Sequence, residues 1–282
     1  MKIGITGATG QLGRITVAKL KAITSAENLV ALVRAPEKAA DLGIESRLFD
    51  YSIPKTLVES LKDIDKLLFI SGSEMGQREI QHKNVIDAAK ATGVKEIVYT
   101  SLLHADTSSL NLAKEHLATE LALKASGITY TILRNGWYTE NYLGSLGGAL
   151  QSGTLVGSAG EGKISSASRE DYAEAAINVL TNEIHANKTY ELAGDKAYTL
   201  SDLAAEASRQ TGKTIEYQNV LEKEYTEILI KQGLPDALAA SIASWDIGAS
   251  KDDLFYETNT LSTLLGRPTT ALKDTIRIFL EQ

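Results

Sequence analysis

Three glycines, Gly7, Gly10 and Gly13, stand at three-residue spacing in the opening stretch MKIGITGATGQLGRITVAKL, and Arg34 closes a second apolar run, NLVALVR. The chemistry such residues offer is anion capture. At a strand-to-helix turn Gly7 takes dihedrals that a Cβ forbids, Gly10 lets the backbone approach a pyrophosphate, and Gly13 lets helix and strand pack closely. The N–H groups and positive dipole end of the following helix then face the anion. The spacing is G-x-x-G-x-x-G, not G-x-G-x-x-G, so on its own it also fits an ordinary tight turn. Arg34 supplies the context. It falls where the carboxyl end of a second strand meets the adenine ribose, a place where an NAD site usually carries Asp or Glu. Leu29 to Ala35 contain no carboxylate. A guanidinium suits a 2′-phosphate, so NADP(H) is expected over NAD(H). Lys38 is either a second cation there or a solvated surface lysine.

The elements that must position these residues are legible along the first half of the chain. Lys2 to Thr6 reads as a short buried strand, while Leu12, Ile15, Thr16 and Leu20 recur at helical spacing. Further strand signals are LFDY near Ser46–Tyr51, KLLFISG at Lys66–Gly72, EIVYTSL at Glu96–Leu102 and TYTILRNG at Thr129–Gly136. Helical patterns fall between them. In QREIQHKNVIDAAKATG, the residues Ile80, Val85, Ala88 and Ala89 form the expected apolar face, and Gly93 the C-cap. Alternation of this kind predicts an α/β fold, a doubly wound parallel Rossmann sheet. A dinucleotide-binding domain is expected over 1–141, and a smaller, mixed C-terminal portion on the substrate side over 142–282, with elements that rejoin the main domain. That portion opens on a glycine-rich passage, YLGSLGGALQSGTLVGSAGEGK, whose role as a lid the sequence leaves open. Later, KTYELAGDKAYTLSDLAAEASRQTG reads as strand, turn and helix with Ser201 as N-cap. SASREDYAEAA either closes a pocket through Ser168, Arg169 or Asp171, or starts a helix capped by Ser168 with Asp171 as its N3 acid.

Composition narrows the function classes. The chain has 282 residues, 43% of them hydrophobic, four prolines and no cysteine. It therefore has no disulfide, thiolate metal site or cysteine nucleophile, and an intracellular setting is expected. A net charge of −7 and a pI of about 5.3 argue against a broad nucleic-acid footprint. With a strand expected directly after Met1 and no apolar run near ~20 residues, neither a leader nor a membrane span is expected, and the cytoplasm is the default. His82 and His185 belong to no metal spacing, and no metal is implied.

The segments GITGATGQLG, ALVR, SGSEMGQR, YTSLLHADTS, GITYTILRNGWYTENY and YELAGDKAYTLSDLA occur in that order over nearly the whole length. Together they resemble the type-2 NADPH:quinone oxidoreductases, within the NmrA-like group of atypical short-chain dehydrogenases/reductases. The resemblance implies a six-stranded Rossmann sheet, NADPH binding and quinone reduction. It places Gly7, Thr9, Gly10, Gln11 and Leu12 at the pyrophosphate and Arg34 at the 2′-phosphate. Ser71, Gly72 and Ser73 would lie near the middle of the cofactor, and Asn135, Gly136, Trp137 and Tyr138 beside the nicotinamide. Asp50 either meets the adenine or makes an Asx turn, and Tyr51 beside it is a site residue or core. Ser101 stands where the family's serine belongs. The implied partners are NADPH and a small-molecule quinone; a homodimer is left open. No second nucleotide motif accompanies these residues, so no flavin is expected.

One feature of typical short-chain dehydrogenases is missing. Their Tyr-x-x-x-Lys helix gives a proton to the carbonyl as hydride arrives, but the corresponding AKEHLATELA carries His116 and Glu120 at i and i+4. Reducing a ketone creates an alkoxide with a pKa near the ~15.7 of water, so a positioned acid matters. Reducing a quinone creates a phenolate nearer the ~10 of tyrosine, which solvent can protonate. The loss therefore agrees with a quinone acceptor. His116 is a proton donor or a structural hydrogen-bond partner; His104, in the loop after the fifth strand, is a candidate for the acceptor pocket. Trp137 and Tyr138 supply an aromatic wall for a planar acceptor, or one of them packs the core. The competing readings are an NAD(P)-sensing regulator without turnover and a reductase of another conjugated carbonyl.

Overall fold

The computed structural model describes residues 1–281 and shows the expected α/β architecture. The strands are β1 (Ile3–Thr6), β2 (Leu29–Val33), β3 (Glu45–Leu48), β4 (Lys66–Phe69), β5 (Glu96–Leu102), β6 (Thr129–Asn135), β7 (Thr154–Gly157), β8 (Lys188–Leu192) and β9 (Glu216–Asn219). The α-helices are α1 (Gln11–Lys21), α2 (Pro54–Ser60), α3 (Arg78–Thr92), α4 (Ala113–Ser126), α5 (Glu140–Ser152), α6 (Arg169–Leu180), α7 (Leu200–Thr211), α8 (Glu222–Lys231), α9 (Asp236–Ala249), α10 (Thr260–Leu265) and α11 (Leu272–Leu280). They fall into two compact units. The first comprises Met1–Asp106, Leu112–Asn135 and Arg169–Leu192; the second comprises Thr107–Asn111, Gly136–Ser168 and Ala193–Gln282.

The first unit is built on one parallel sheet of strand order β3-β2-β1-β4-β5-β6-β8. Every residue of β1, β2 and β5 is buried, as expected for strands covered on both faces by crossover helices. The sheet has seven strands rather than six. In β8, Lys188–Leu192 pair in parallel register with Thr131–Asn135 of β6, so the segment read as strand, turn and helix supplies the outer strand beyond β6. One face carries Leu57, Leu67, Phe69, Val85, Tyr99 and Ile132 in a continuous apolar core; α1 packs against α6. Between β1 and β4 the direction of strand order reverses. This switch point is where open α/β sheets leave a ligand crevice at the strands' carboxyl ends.

Helix α3 departs from the expected face. Gly93 caps it in the left-handed region (φ 77°) as read, but Ile80 is 66% exposed and the buried side begins with Arg78, Gln81 and His82. The reason is angular. At 100° per residue, His82, Val85 and Ala89 share a stripe that Ile80, five positions before Val85, does not join.

In the second unit β7 and β9 pair in parallel. Its glycine-rich passage is not a loop, because residues 140–152 form α5 with Tyr142, Leu143, Leu146 and Ala149 buried. Apolar residues at three- and four-residue spacing outweigh the roughly 1 kcal/mol that each helical glycine costs relative to alanine. Helix α7 is capped by Thr199, not Ser201. The Thr199 hydroxyl accepts from Asp202 N–H at 3.1 Å and the Asp202 carboxylate accepts from Thr199 N–H at 2.9 Å, a reciprocal capping box.

Candidate cofactor-binding site

The glycine turn after β1 is shaped for close approach. Gly7 sits in the left-handed region at φ 58°, and its N–H donates to Leu32 O at 3.2 Å, tying the turn to β2. Gly10 N–H donates to Gly7 O at 2.9 Å. A Cβ on Gly13 would lie 2.2 Å from Gly7 O and 2.7 Å from Ala8 Cα, a clash with backbone that cannot yield. Helix α1 begins at Gln11 with no side-chain cap and no acid in its first turn, so its positive end is not neutralised by local carboxylates. These features fit a pyrophosphate, with Thr9, Gln11 and Leu12 in the turn and the first helical residues.

Beyond the neighbouring strands, the loop from Ile70 to Gly72 is held by hydroxyls and a histidine. Thr6 Oγ1 accepts from Ile70 N–H at 2.9 Å and donates to Ile70 O at 3.1 Å. Ser71 N–H donates to Thr100 Oγ1 at 3.0 Å, joining the end of β4 to β5. Gly72 is held at both ends: its N–H donates to His82 Nε2 at 2.9 Å, and its carbonyl accepts from Arg78 Nε at 2.9 Å. Because His82 Nε2 accepts, its ring hydrogen lies on Nδ1, facing Thr119 Oγ1 at 2.9 Å. Arg78 in turn pairs with Glu115 at 2.7 Å. Ser73 is exposed at the far side of this anchored stretch. Burial, reinforced by the nearby Arg78 guanidinium, holds the His82 pKa well below its ordinary value, so the ring stays neutral and keeps the Gly72 bond.

Ser101 and the two residues that replace the Tyr-Lys pair have separate partners. The Ser101 hydroxyl donates to Glu120 Oε1 at 2.6 Å. Glu120 also receives both arms of Arg134, at 2.9 and 2.8 Å, while Arg134 Nη1 reaches Glu191 at 2.7 Å and Asp106 at 3.0 Å. Tyr99 O–H lies 2.8 Å from His116 Nδ1, and burial pushes the His116 pKa down to about 3. His116 is thus neutral at ordinary pH and occupied as a structural partner. His104, just past β5, adopts a left-handed backbone with φ 54°, and its N–H donates to Glu191 at 3.0 Å.

At the carboxyl end of β2, Arg34 directly follows the strand and pairs with Glu74 at 2.5 Å; the two side chains are 65% and 45% exposed. Lys38 is exposed on the short turn after it. Asp50 makes the Asx turn, accepting from Ser52 N–H at 2.9 Å. Tyr51 packs edge-on against Phe49 and Phe69 and donates to Ile70 O at 2.8 Å. Asn135 ends β6 in the first unit. In the second unit, Gly136 and Trp137 are buried and Tyr138 is half-buried. Trp137 packs edge-on against Trp245 at 5.4 Å between ring centroids, and the backbone around Tyr138 is bridged to Ala167.

Residues that sequence reading did not assign to the site are Thr6, Thr100, Arg78, His82, Glu115 and Thr119. The available signal was polarity out of place: Thr6 ending β1 and Thr100 inside the mostly apolar β5, and Arg78, Gln81 and His82 heading the stripe that continues through Val85.

Comparison with known proteins agrees with this geometry. Residues 7–183 match the NAD(P)H-binding family. The chain is 53% identical over 97% of both chains to quinone oxidoreductase 2 of Escherichia coli K12. Its structure superimposes on that of the NADPH complex of the NADPH-dependent quinone oxidoreductase QOR2 of Escherichia coli with a TM-score of 0.95, covering 99% of each chain. The NADP(H) complex of Citrobacter sp. triphenylmethane reductase gives a TM-score of 0.95 at 38% identity, covering 99% of this chain and all of that one. The glycine turn, the anchored strand ends and these likenesses together show that the chain belongs to the NAD(P)H-binding, NmrA-like family of atypical short-chain dehydrogenases/reductases that includes the type-2 quinone oxidoreductases.

Proposed function

We propose that this chain is a cytoplasmic NADPH-dependent quinone reductase that works by direct hydride transfer. The observation that carries the reading is the glycine cradle joined to a solvent-accessible Arg34 at the end of β2, on a chain 53% identical to a quinone oxidoreductase. Gly7, Thr9, Gly10, Gln11 and Leu12 would hold the pyrophosphate and Arg34 the 2′-phosphate, with Asp50 nearer the adenine. Ser71, Gly72, Ser73 and Ser101 would border the middle of the cofactor, and Asn135, Gly136, Trp137 and Tyr138 its nicotinamide end. Bound NADPH supplies the hydride.

The protein's own part is positioning. A fixed Gly72 peptide and a turn without Cβ atoms set the dinucleotide's path, and proximity supplies most of the rate. His104, Trp137 and Tyr138 are the proposed acceptor-side residues. Trp137 already packs on Trp245, so half-buried Tyr138 is the better placed of the two aromatics to contact a planar ring. Neither neutral His116 nor Glu120, bound to Arg134 and Ser101, is arranged as a general acid. A phenolate product with a pKa near ~10 takes its proton from water.

The test follows NADPH absorbance with a benzoquinone or naphthoquinone panel, with NADH and Arg34→Ala alongside. Quinone-dependent oxidation is expected, with NADH slower and Arg34→Ala raising the KM for NADPH about tenfold or more, as loss of a charge-assisted contact predicts. Tight NADPH binding without turnover across the panel would overturn the reading in favour of a nucleotide sensor.

A further inference from the structure

Arg34 is held in this structure by a carboxylate that is itself held. Glu74 Oε1 accepts from Arg34 Nη1, while Glu74 Oε2 accepts from Gln81 Nε2 at 2.7 Å. Gln81 is 6% exposed and its amide also donates to Ser52 Oγ at 3.0 Å. A buried amide therefore aims the Glu74 carboxylate, which most surface glutamates lack. The topology adds a second observation. In the sheet β1 lies between β2 and β4; Arg34 follows β2, and Glu74 lies five residues past Phe69 at the end of β4. The ion pair thus spans the end of β1, where the glycine turn starts, and straps the adenosine side of the crevice.

We propose that Glu74 is an intramolecular competitor for the 2′-phosphate position and so a specificity-determining residue: it holds Arg34 when no phosphate is there and gives it up when one binds. This rests on the assignment of Arg34 to the 2′-phosphate. A phosphate monoester carries close to two negative charges near neutral pH and can take both guanidinium arms, so it displaces a single exposed carboxylate. Glu74, still bonded to Gln81, then remains beside the phosphate as a like charge. Its presence weakens binding of 2′-phosphorylated ligands and leaves the 2′-hydroxyl of NADH little affected, because a hydroxyl does not draw Arg34 away.

The experiment is calorimetric titration of NADPH, NADH, adenosine 2′,5′-bisphosphate and AMP into the intact protein and its Glu74→Gln, Arg34→Ala and doubly substituted variants. Glutamine keeps an oxygen for the Gln81 amide. Glu74→Gln is expected to tighten NADPH and the bisphosphate roughly two- to fivefold, the range of an exposed ion pair. NADH and AMP should change less than twofold, and the gain should vanish in the Arg34→Ala background. Equal effects on phosphorylated and unphosphorylated ligands, weaker NADPH binding, or no change overturn the competitor role. If Arg34→Ala affects all four ligands alike, the Arg34 assignment fails first; if it selectively weakens the phosphorylated pair while Glu74→Gln changes nothing, only the role of Glu74 fails. Thermal melting of Glu74→Gln shows whether folding is intact.

Discussion

Two arginine–glutamate pairs in the sheet unit use the same groups for opposite ends. Arg134 and Glu120 meet through two parallel hydrogen bonds with side chains 8% and 0% exposed, and Ser101, Glu191 and Asp106 complete the set. Arg34 and Glu74 meet through one arm in solvent. The first pair is shut away from water, so removing Arg134 leaves the Glu120 carboxylate buried without its bidentate partner, and removing Glu120 leaves two Arg134 donors without their acceptor. The second can break and exchange, since water or an incoming anion replaces the lost partner. Burial, not residue type, separates a pair fixed into the scaffold from one whose arginine is open to an incoming anion. Arg78 and Glu115 stand between them, 6% and 15% exposed, with Arg78 also holding Gly72.

A graded series of variants tests that ordering by chemical denaturation. Glu120→Ala should cost about 3–5 kcal/mol, because it leaves Arg134 buried and undercompensated. Glu115→Ala should cost about 1–3 kcal/mol, and it should also raise the KM for NADPH, since Arg78 no longer fixes the Gly72 carbonyl. Arg34→Ala should leave stability within about 0.5 kcal/mol while changing cofactor choice. A destabilisation by Arg34→Ala that matched Glu120→Ala would break the comparison; the same order at raised salt, with only the Arg34 pair weakened, would sharpen it.

Much of this was legible in the chain order. Gly7, Gly10 and Gly13 between an apolar strand and a helical stripe announced the turn, since glycine most readily adopts the φ of 58° at Gly7 and only a residue without a Cβ tolerates the 2.2 Å approach at Gly13. Arg34 without a nearby carboxylate was equally plain, because the second strand's end is a fixed distance along a βαβ unit. The carboxylate that meets Arg34 was not, since Glu74 is forty residues away and arrives from another strand.

Local periodicity and backbone sterics by themselves determined the parallel sheet, the glycine turn and the cap at Gly93, because each depends on residues within a few positions. Tertiary structure alone decided the rest: which stripe of α3 is buried, so that His82 reaches Gly72 while Ile80 faces water, and that Lys188–Leu192 makes a seventh strand. These outcomes turn on which distant groups share the interior, where an unpaired polar atom or an unfilled apolar face costs more than any local preference supplies.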